Sequence, residues 1–227
     1  MENDRTTEDC LIAIKVWDPP TRVFHWLLLA LVISSFVTGK LGGNFMRYHV
    51  WSGEAILTLL LFRLAWGFIG SAPSRFGSFL AGPTTVLRYI PTMLRRNTPH
   101  YVGHNPLGGW SVMAMLLALF IQASTGLFAD DKIATTGPLY KWVSSAASDW
   151  FTFIHRLNQK LIIVLVAVHV AAVLFHLIYK KENLIIPMIT GIKLWKGALT
   201  EKLKQKPNWL AGLVILVAGL CVYILVS

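Results

Sequence analysis

Histidines are the residues of this chain whose type and spacing point most clearly to chemistry. Seven occur among the 227 residues, and five of these lie in or at the ends of strongly apolar stretches. The five are His25, His49, His155, His169 and His176. Ionisable side chains inside a membrane span are costly, so we treat these histidines as candidates for a functional role.

A step of 14 residues separates His155 from His169. On a helix this step is about 1,400°, within about 40° of whole turns, so both rings leave the same face. The rise is about 21 Å, which places one ring in each half of a membrane. At matching depths we expect His49 to meet His155 and His25 to meet His169. Two histidines from different helices at one depth suit haem iron, which takes one imidazole on each side of the porphyrin.

The same step of 14 residues leads from His49 to Arg63. Arg63 should therefore lie level with His169, inside the membrane. A buried guanidinium needs an anion, and a haem propionate would supply one. Three glycines near the depth of the outer histidine pair are expected to leave room for a flat macrocycle: Gly39, Gly53 and Gly126.

His176 competes with His169 for the role of second inner ligand. It follows His169 by seven residues, which puts it about 20° from the same face and about 10 Å deeper. The spacing alone leaves both choices open. Each histidine also has a plain alternative, a ring hydrogen-bonded inside a helix bundle, but two rings on one face with depth-matched partners favour iron ligation.

Five apolar stretches must position these side chains. Hydrophobic residues make up 55% of the chain and charged residues only 14%, against about 25% charged in a soluble domain. Each stretch approaches the roughly 20 residues that cross a bilayer, and we place them at Val23–Gly39, Val50–Ile69, Leu107–Phe128, Phe151–Tyr179 and Trp209–Val226. This predicts an all-α membrane protein. The net charge of +10 does not indicate nucleic acid binding, because the basic residues separate apolar runs.

Lysine and arginine in the connections predict the orientation. The N-terminal tail and the second and fourth connections carry 14 of them. The other side carries five: four in the first and third connections, and Arg156 near the start of the fourth span. The excess of positive charge marks the cytoplasmic side. We therefore expect the N-terminus in the cytoplasm and the C-terminus outside.

Three local patterns lie between the spans. Residues Thr84–Leu94 have the apolar spacing of an interfacial helix. Asn105 followed by Pro106 is typical of a helix start. The run Lys193–Lys206, basic with scattered apolar residues, predicts an interfacial helix on anionic lipid. No Cys-x-x-Cys-His motif occurs, so any haem is not attached covalently through it.

Four segments resemble the bacterial cytochrome b561 / nickel-hydrogenase b-type cytochrome family. They are Val16-Trp-Asp-Pro-Pro-Thr-Arg-Val-Phe-His25-Trp, Leu61-Phe-Arg63-Leu-Ala-Trp-Gly-Phe-Ile-Gly-Ser, Gly103-His-Asn-Pro-Leu-Gly-Gly109, and His155 through His169-Val-Ala-Ala. The resemblance covers roughly residues 14 to 195. It implies a four-helix transmembrane bundle that holds two non-covalent b haems, with His25, His49, His155 and His169 as axial ligands. It thus selects His169 over His176.

The resemblance also implies a function. Family members pass electrons between the membrane quinone pool and a redox partner such as a hydrogenase or a c-type cytochrome. We therefore expect a bacterial inner-membrane protein that handles quinone or quinol near the inner pair and meets a periplasmic c-type cytochrome or dehydrogenase/hydrogenase subunit. The fifth span is extra to the four-helix unit, which suggests a di-haem domain at 1–195 and a basic connection with an additional C-terminal transmembrane helix at 196–227.

Two other function classes compete with this prediction. One is a stand-alone quinone-linked oxidoreductase acting on a small oxidant such as superoxide, as in some four-helix relatives. The other is a haem-free proton or metal transporter that uses the histidines as a relay. The chain lacks the paired inverted halves common in transporters, so this class ranks last.

Overall fold

The computed structural model describes residues 11–95, 101–196 and 203–227. Within them five helices are long and apolar enough to cross a membrane, which confirms the five predicted spans. These are α1 (Pro19–Leu41), α2 (Met46–Ile69), α5 (Pro106–Gly126), α6 (Ser145–Ile178) and α8 (Asn208–Val226). The remaining helices and strands are β1 (Leu11–Lys15), α3 (Phe76–Phe79), α4 (Pro83–Met93), α7 (Ile185–Thr190) and β2 (Ile192–Lys196).

Side-chain caps explain where three of the long helices begin. Asp18 accepts a hydrogen bond from the Thr21 amide and starts α1 four residues before the predicted span. Ser144 caps α6 by accepting a hydrogen bond from the Ala147 amide, so this helix begins six residues before the predicted span. Asn105 caps α5, as its pairing with Pro106 predicted. Such caps satisfy amides that have no partner within the helix.

Helix α2 lies at the centre of the bundle. It packs against α1, α5 and α8, whereas α6 packs mainly against α5. The main core contains Trp66, which is completely buried, and residues from α1, α2, α3, α5 and α8 around it: Phe24, Ile56, Leu59, Leu60, Phe62, Phe76, Phe79, Leu116, Ala211 and Ala218. The outward faces of the spans carry many exposed leucine, isoleucine and valine side chains, as expected of surfaces that meet lipid.

Helix α4 confirms the helix predicted at Thr84–Leu94. Leu87 and Ile90 of α4 and Leu94, directly after it, are exposed, whereas Tyr89 is buried. The apolar stripe thus points away from the protein, as an interfacial helix requires.

A two-stranded antiparallel sheet replaces part of the helix predicted at Lys193–Lys206. β1 pairs with β2 in the register Leu11↔Lys196 through Lys15↔Ile192. The prediction was wrong for residues 193–196, which pair with β1. Exposed and half-buried side chains alternate along residues 192–195, with the period of a strand. Residues 203–206 are not helical, and 197–202 lie outside the described ranges.

The sheet is anchored to the start of α1. The Val16 and Trp17 amides both donate to the Gly191 carbonyl, at 2.9 and 3.2 Å. Gly191 has a φ of 84°, a conformation that favours glycine. The Trp26 indole donates to the Met188 carbonyl of α7 at 3.1 Å. We call the end of the bundle that carries this sheet the inner end, and the opposite end the outer end.

Candidate functional site

The first histidine pair lies near the outer end. His49, in the first turn of α2, faces His155, which lies ten residues into α6. The ring centres are 6.0 Å apart and the rings are nearly perpendicular, at 80°. Both side chains are half-buried. The two helices thus present two imidazoles to one another, as the 14-residue step predicted.

The Nδ1 atoms of this outer pair are bound to main-chain carbonyls. His49 Nδ1 lies 2.8 Å from the Ser35 carbonyl of α1. His155 Nδ1 lies 3.0 Å from the Gln122 carbonyl of α5. A carbonyl only accepts, so each Nδ1 carries the proton and each Nε2 keeps a free lone pair. A hydrogen bond of this kind orients a metal-binding histidine and fixes its tautomer.

Two glycines allow this arrangement. A Cβ at Gly39 would lie 2.8 Å from His49 Nδ1, and one at Gly126 would lie 3.0 Å from His155 Cε1. Both glycines therefore make room for the imidazoles themselves, where the sequence suggested room for a macrocycle. A Cβ at Gly53 would meet no protein atom within 4 Å.

The second histidine pair lies nearer the inner end. His25 in the second turn of α1 faces His169 of α6, with ring centres 6.4 Å apart and an angle of 51° between the rings. Trp26 packs edge-on against His25 at 5.0 Å. His25 Nδ1 is buried and, within the described residues, has no hydrogen-bond partner.

Both separations fit two imidazoles that share one iron atom. A histidine nitrogen binds a transition metal at about 2 Å and lies about 1.1 Å from its ring centre, so rings on opposite sides of one iron have centres about 6 Å apart. The observed 6.0 and 6.4 Å agree with this value. The residues present therefore fit a haem at each of two depths.

Arg63 is a buried cation close to the inner pair. Only 4% of it is exposed, its guanidinium lies over the Phe76 ring at 5.0 Å, and within the described residues its Nη1 has no partner. The neighbouring carboxylate, Asp18, accepts hydrogen bonds from the Thr21 amide and the Trp66 indole, at 2.9 and 3.0 Å. Asp18 thus acts as the cap of α1.

His104 is a further buried histidine, which the spacing of the other histidines did not point to. It directly precedes the α5 cap, and its ring lies between Phe79 and Trp17, at 4.8 and 5.0 Å. Burial, together with the charges of Arg63 and the inner histidines, lowers the pKa of His104 to about 4. The ring is therefore neutral at pH 7. Its position between two aromatic residues far apart in the chain could not be predicted from the chain order.

His176 does not join the inner pair. Its Nδ1 lies 3.0 Å from Glu182 Oε2, and Lys193 Nζ lies 2.8 Å from Glu182 Oε1. The same Lys193 ammonium donates to the Tyr101 carbonyl at 2.7 Å. Burial alone would raise the pKa of Glu182, but the hydrogen bonds from His176 and Lys193 outweigh it and lower the pKa to about 2. The structure thus brings His169, rather than His176, to His25.

The chain is similar to known proteins over most of its length. Residues 16–191 match the family described as prokaryotic cytochrome b561. A probable Ni/Fe-hydrogenase B-type cytochrome subunit of Rhizobium leguminosarum bv. viciae is 27% identical over 216 residues, covering 81% of this chain and 90% of that protein. The probable Ni/Fe-hydrogenase 1 B-type cytochrome subunit of Escherichia coli K12 is 24% identical over 229 residues, covering 86% and 97%. No solved structure matches the chain.

The family match includes all four facing histidines and the four helices from α1 to α6 that cross the membrane. It spans 176 of the 227 residues, and α8 lies beyond it. The chain therefore belongs to the prokaryotic cytochrome b561 family and is a membrane-bound b-type cytochrome of electron transport.

Proposed function

We propose that this cytochrome carries electrons across the bacterial inner membrane between a periplasmic hydrogenase-type partner and the quinone pool. Two b haems would be held by histidine pairs, the outer one by His49 and His155 and the inner one by His25 and His169. The observation that carries the proposal is that one helix, α6, contributes one histidine to each of two such pairs, with ring separations suited to iron.

The protein residues would control ligation and orientation. A bound b haem supplies a one-electron Fe(III)/Fe(II) couple, and the protein tunes its potential through ligands and hydrogen bonds. At the outer site, the Ser35 and Gln122 carbonyls orient the two imidazoles through Nδ1, which leaves each Nε2 free to bind iron. Four helices thus fix the orientation of the two outer imidazoles. The rings belong to α2 and α6, and the carbonyls that bind them belong to α1 and α5.

The inner pair is where we place the reaction with quinone. Reduction of a quinone to a quinol takes two electrons and two protons. A site close to the membrane surface, like the inner end, can take these protons from water. Arg63, buried with an unpaired Nη1, would bind a haem propionate there. A carboxylate would remove the cost of burying this guanidinium alone.

The partner is inferred from the relatives. Several matching proteins are described as probable Ni/Fe-hydrogenase B-type cytochrome subunits. This favours a hydrogenase over a c-type cytochrome, and it favours a subunit role over a stand-alone enzyme acting on superoxide. With a hydrogenase on the periplasmic side, electrons would travel from the outer pair to the inner pair and reduce quinone.

The orientation is part of the proposal. The inner end would face the cytoplasm because it carries most of the lysine and arginine of the connections. Five spans then place the C-terminus in the periplasm.

A visible spectrum with a haem count tests the ligand assignment. The purified chain should contain about two low-spin haems per polypeptide. His49→Ala and His155→Ala should each remove the outer haem, and His25→Ala and His169→Ala should each remove the inner haem. His176→Ala is the matched control and should keep both, because its ring is bound to Glu182.

Hydrogen-dependent quinone reduction tests the partner. Membranes lacking this chain should lose the reaction and regain it on complementation. A purified chain without haem, or one that loses a haem in His176→Ala but not in His169→Ala, would contradict the ligand assignment. Unchanged hydrogen-dependent reduction without the chain would contradict the partner assignment alone.

A further inference from the structure

Within the described residues, five buried side-chain atoms have no hydrogen-bond partner: Arg22 Nε, His25 Nδ1, Arg63 Nη1, His104 Nδ1 and Gln205 Oε1. Two of these residues are linked by ring contacts, since Arg63 lies over Phe76, Phe76 contacts Phe79, and Phe79 contacts His104. Buried polar atoms are rarely left without a partner, so the unpartnered nitrogens of Arg63 and His104 indicate a group that they bind jointly. We call Arg63 and His104 the inner recess.

His104 is held firmly in this recess. Its ring lies between Trp17 and Phe79, two buried aromatic residues. A Cβ at Gly109 would lie 2.7 Å from the Phe79 carbonyl, so this glycine lets α5 approach the segment that carries Phe79. The Asn105 cap fixes the adjacent turn at the start of α5. The ring position is therefore set by packing from three parts of the chain.

Packing against the Phe76 ring fixes the position of the Arg63 guanidinium. A Cβ at Gly67, one turn further along α2, would lie 2.1 Å from the Phe76 ring, so glycine at this position lets Phe76 reach the guanidinium. Asp18 already accepts two hydrogen bonds, and across the described ranges no carboxylate lies within ion-pair distance of Arg63. The recess thus has a fixed cation and a fixed imidazole but no anion of its own.

We propose that His104 acts with Arg63 as a binding residue for the propionate carboxylate of the inner haem. This inference rests on the proposed function, because it needs a haem between His25 and His169. A carboxylate has two oxygens and accepts several hydrogen bonds, so it satisfies one N–H from each residue. A quinone carbonyl carries no full negative charge and would leave the buried guanidinium without a counter-ion.

The test uses the purified, haem-loaded chain in detergent. His104→Phe keeps an aromatic ring between Trp17 and Phe79 but removes both nitrogens, whereas His104→Gln keeps an N–H donor. Loss of the donor leaves more negative potential near the iron, which favours Fe(III). We expect His104→Phe to retain both haems, to lower the midpoint potential of the inner haem alone and to shift its propionate bending band in resonance Raman spectra. His104→Gln should restore both values toward those of the unaltered chain.

Arg63→Gln provides an independent variant if His104→Phe fails to fold, and it should lower the potential of the same haem. His176→Gln, at the same end but bound to Glu182, is the matched control and should leave the inner potential unchanged. Unchanged potentials and propionate bands in the His104 and Arg63 variants would overturn the inference. So would an altered affinity for a quinone analogue at unchanged potential, which would assign the recess to quinone. Absence of an inner haem from the unaltered chain would instead contradict the proposed function.

Discussion

Replacing Gly39 with alanine tests how closely the outer imidazole is positioned. The new Cβ would lie 2.8 Å from His49 Nδ1 and 3.1 Å from His49 Cε1. Ordinary contact needs about 3.5 Å or more, so the ring must retreat by about 0.7 Å. The Nδ1 atom involved is the one that binds the Ser35 carbonyl at 2.8 Å. The substitution therefore disturbs both the ring and the hydrogen bond that orients it.

The expected magnitude follows from the tolerance of metal sites. Ligand distances at such sites are held to within about 0.2 Å, and loss of an orienting hydrogen bond typically costs about 10- to 100-fold in metal affinity. We expect Gly39→Ala to weaken binding of the outer haem by this factor, about 1.4 to 2.7 kcal/mol. The inner haem should be unaffected. Alanine favours a helix over glycine by about 1 kcal/mol, so the fold itself should not be lost.

Haem titration of the apo-protein in detergent measures this effect. Redox titration then shows which of the two haems is lost, by comparison with His155→Ala, which should lack the outer haem. Gly212→Ala in α8 is the matched control, because a Cβ there would meet no atom within 4 Å. Two haems bound by Gly39→Ala with unaltered affinity would refute the reasoning, and equal losses in Gly39→Ala and Gly212→Ala would show that the effect is not specific to the ring.

Three further predictions concern stability and orientation. Trp66→Phe removes the hydrogen bond from a completely buried indole to Asp18 and should lower the free energy of unfolding by about 1–3 kcal/mol, measured by thermal unfolding in detergent; an unchanged value would contradict it. The pKa of Glu182 is lowered from 4.5 to about 2, so ionised Glu182 stabilises the fold fully above about pH 4.5, and this stabilisation is lost as the pH falls toward 2. The melting temperature should therefore fall over this range, and Glu182→Gln should abolish that dependence. Asp149→Asn is the exposed control. Alkaline phosphatase fused after Ser227 should be active, since the enzyme folds only in the periplasm; an inactive but stable fusion would contradict the orientation.

The sequence predicted most of the features that depend on a single helix. Length and hydropathy were enough for all five spans. The interval between His155 and His169 predicted two depths, because helix geometry fixes the angle and rise over 14 residues. Asn105 was recognised as a cap because its interaction with the Gly108 amide is local.

Features that depend on the meeting of distant segments were not predicted. The carbonyls that bind His49 and His155 belong to α1 and α5. Every residue type has a main-chain carbonyl, so the sequence cannot indicate which one accepts the hydrogen bond. The sheet formed by β1 and β2 joins residues that are 177 to 185 positions apart in the chain. Apolar and basic residues alternate only over Ile192–Leu194, which is too short to predict a strand within the longer basic run.

His176 shows how a spacing argument can leave two choices that a local contact resolves. By position on α6 it was a reasonable partner for His25. Its ring instead binds Glu182, six residues further along the chain, which takes it away from the other histidines. The roles of all four facing histidines as iron ligands stay predictions for the spectra and variants described above.

The hydrogen bond between the Val16 amide and the Gly191 carbonyl, 2.9 Å long, joins the first and last residues of the family match. The N- and C-terminal ends of the four-helix unit therefore lie next to one another. Additional segments can be joined at either end without passing between the helices that carry the histidines. The same adjacency makes the unit a natural candidate for circular permutation, with Val16 and Gly191 joined by a short linker and new termini opened in an outer connection.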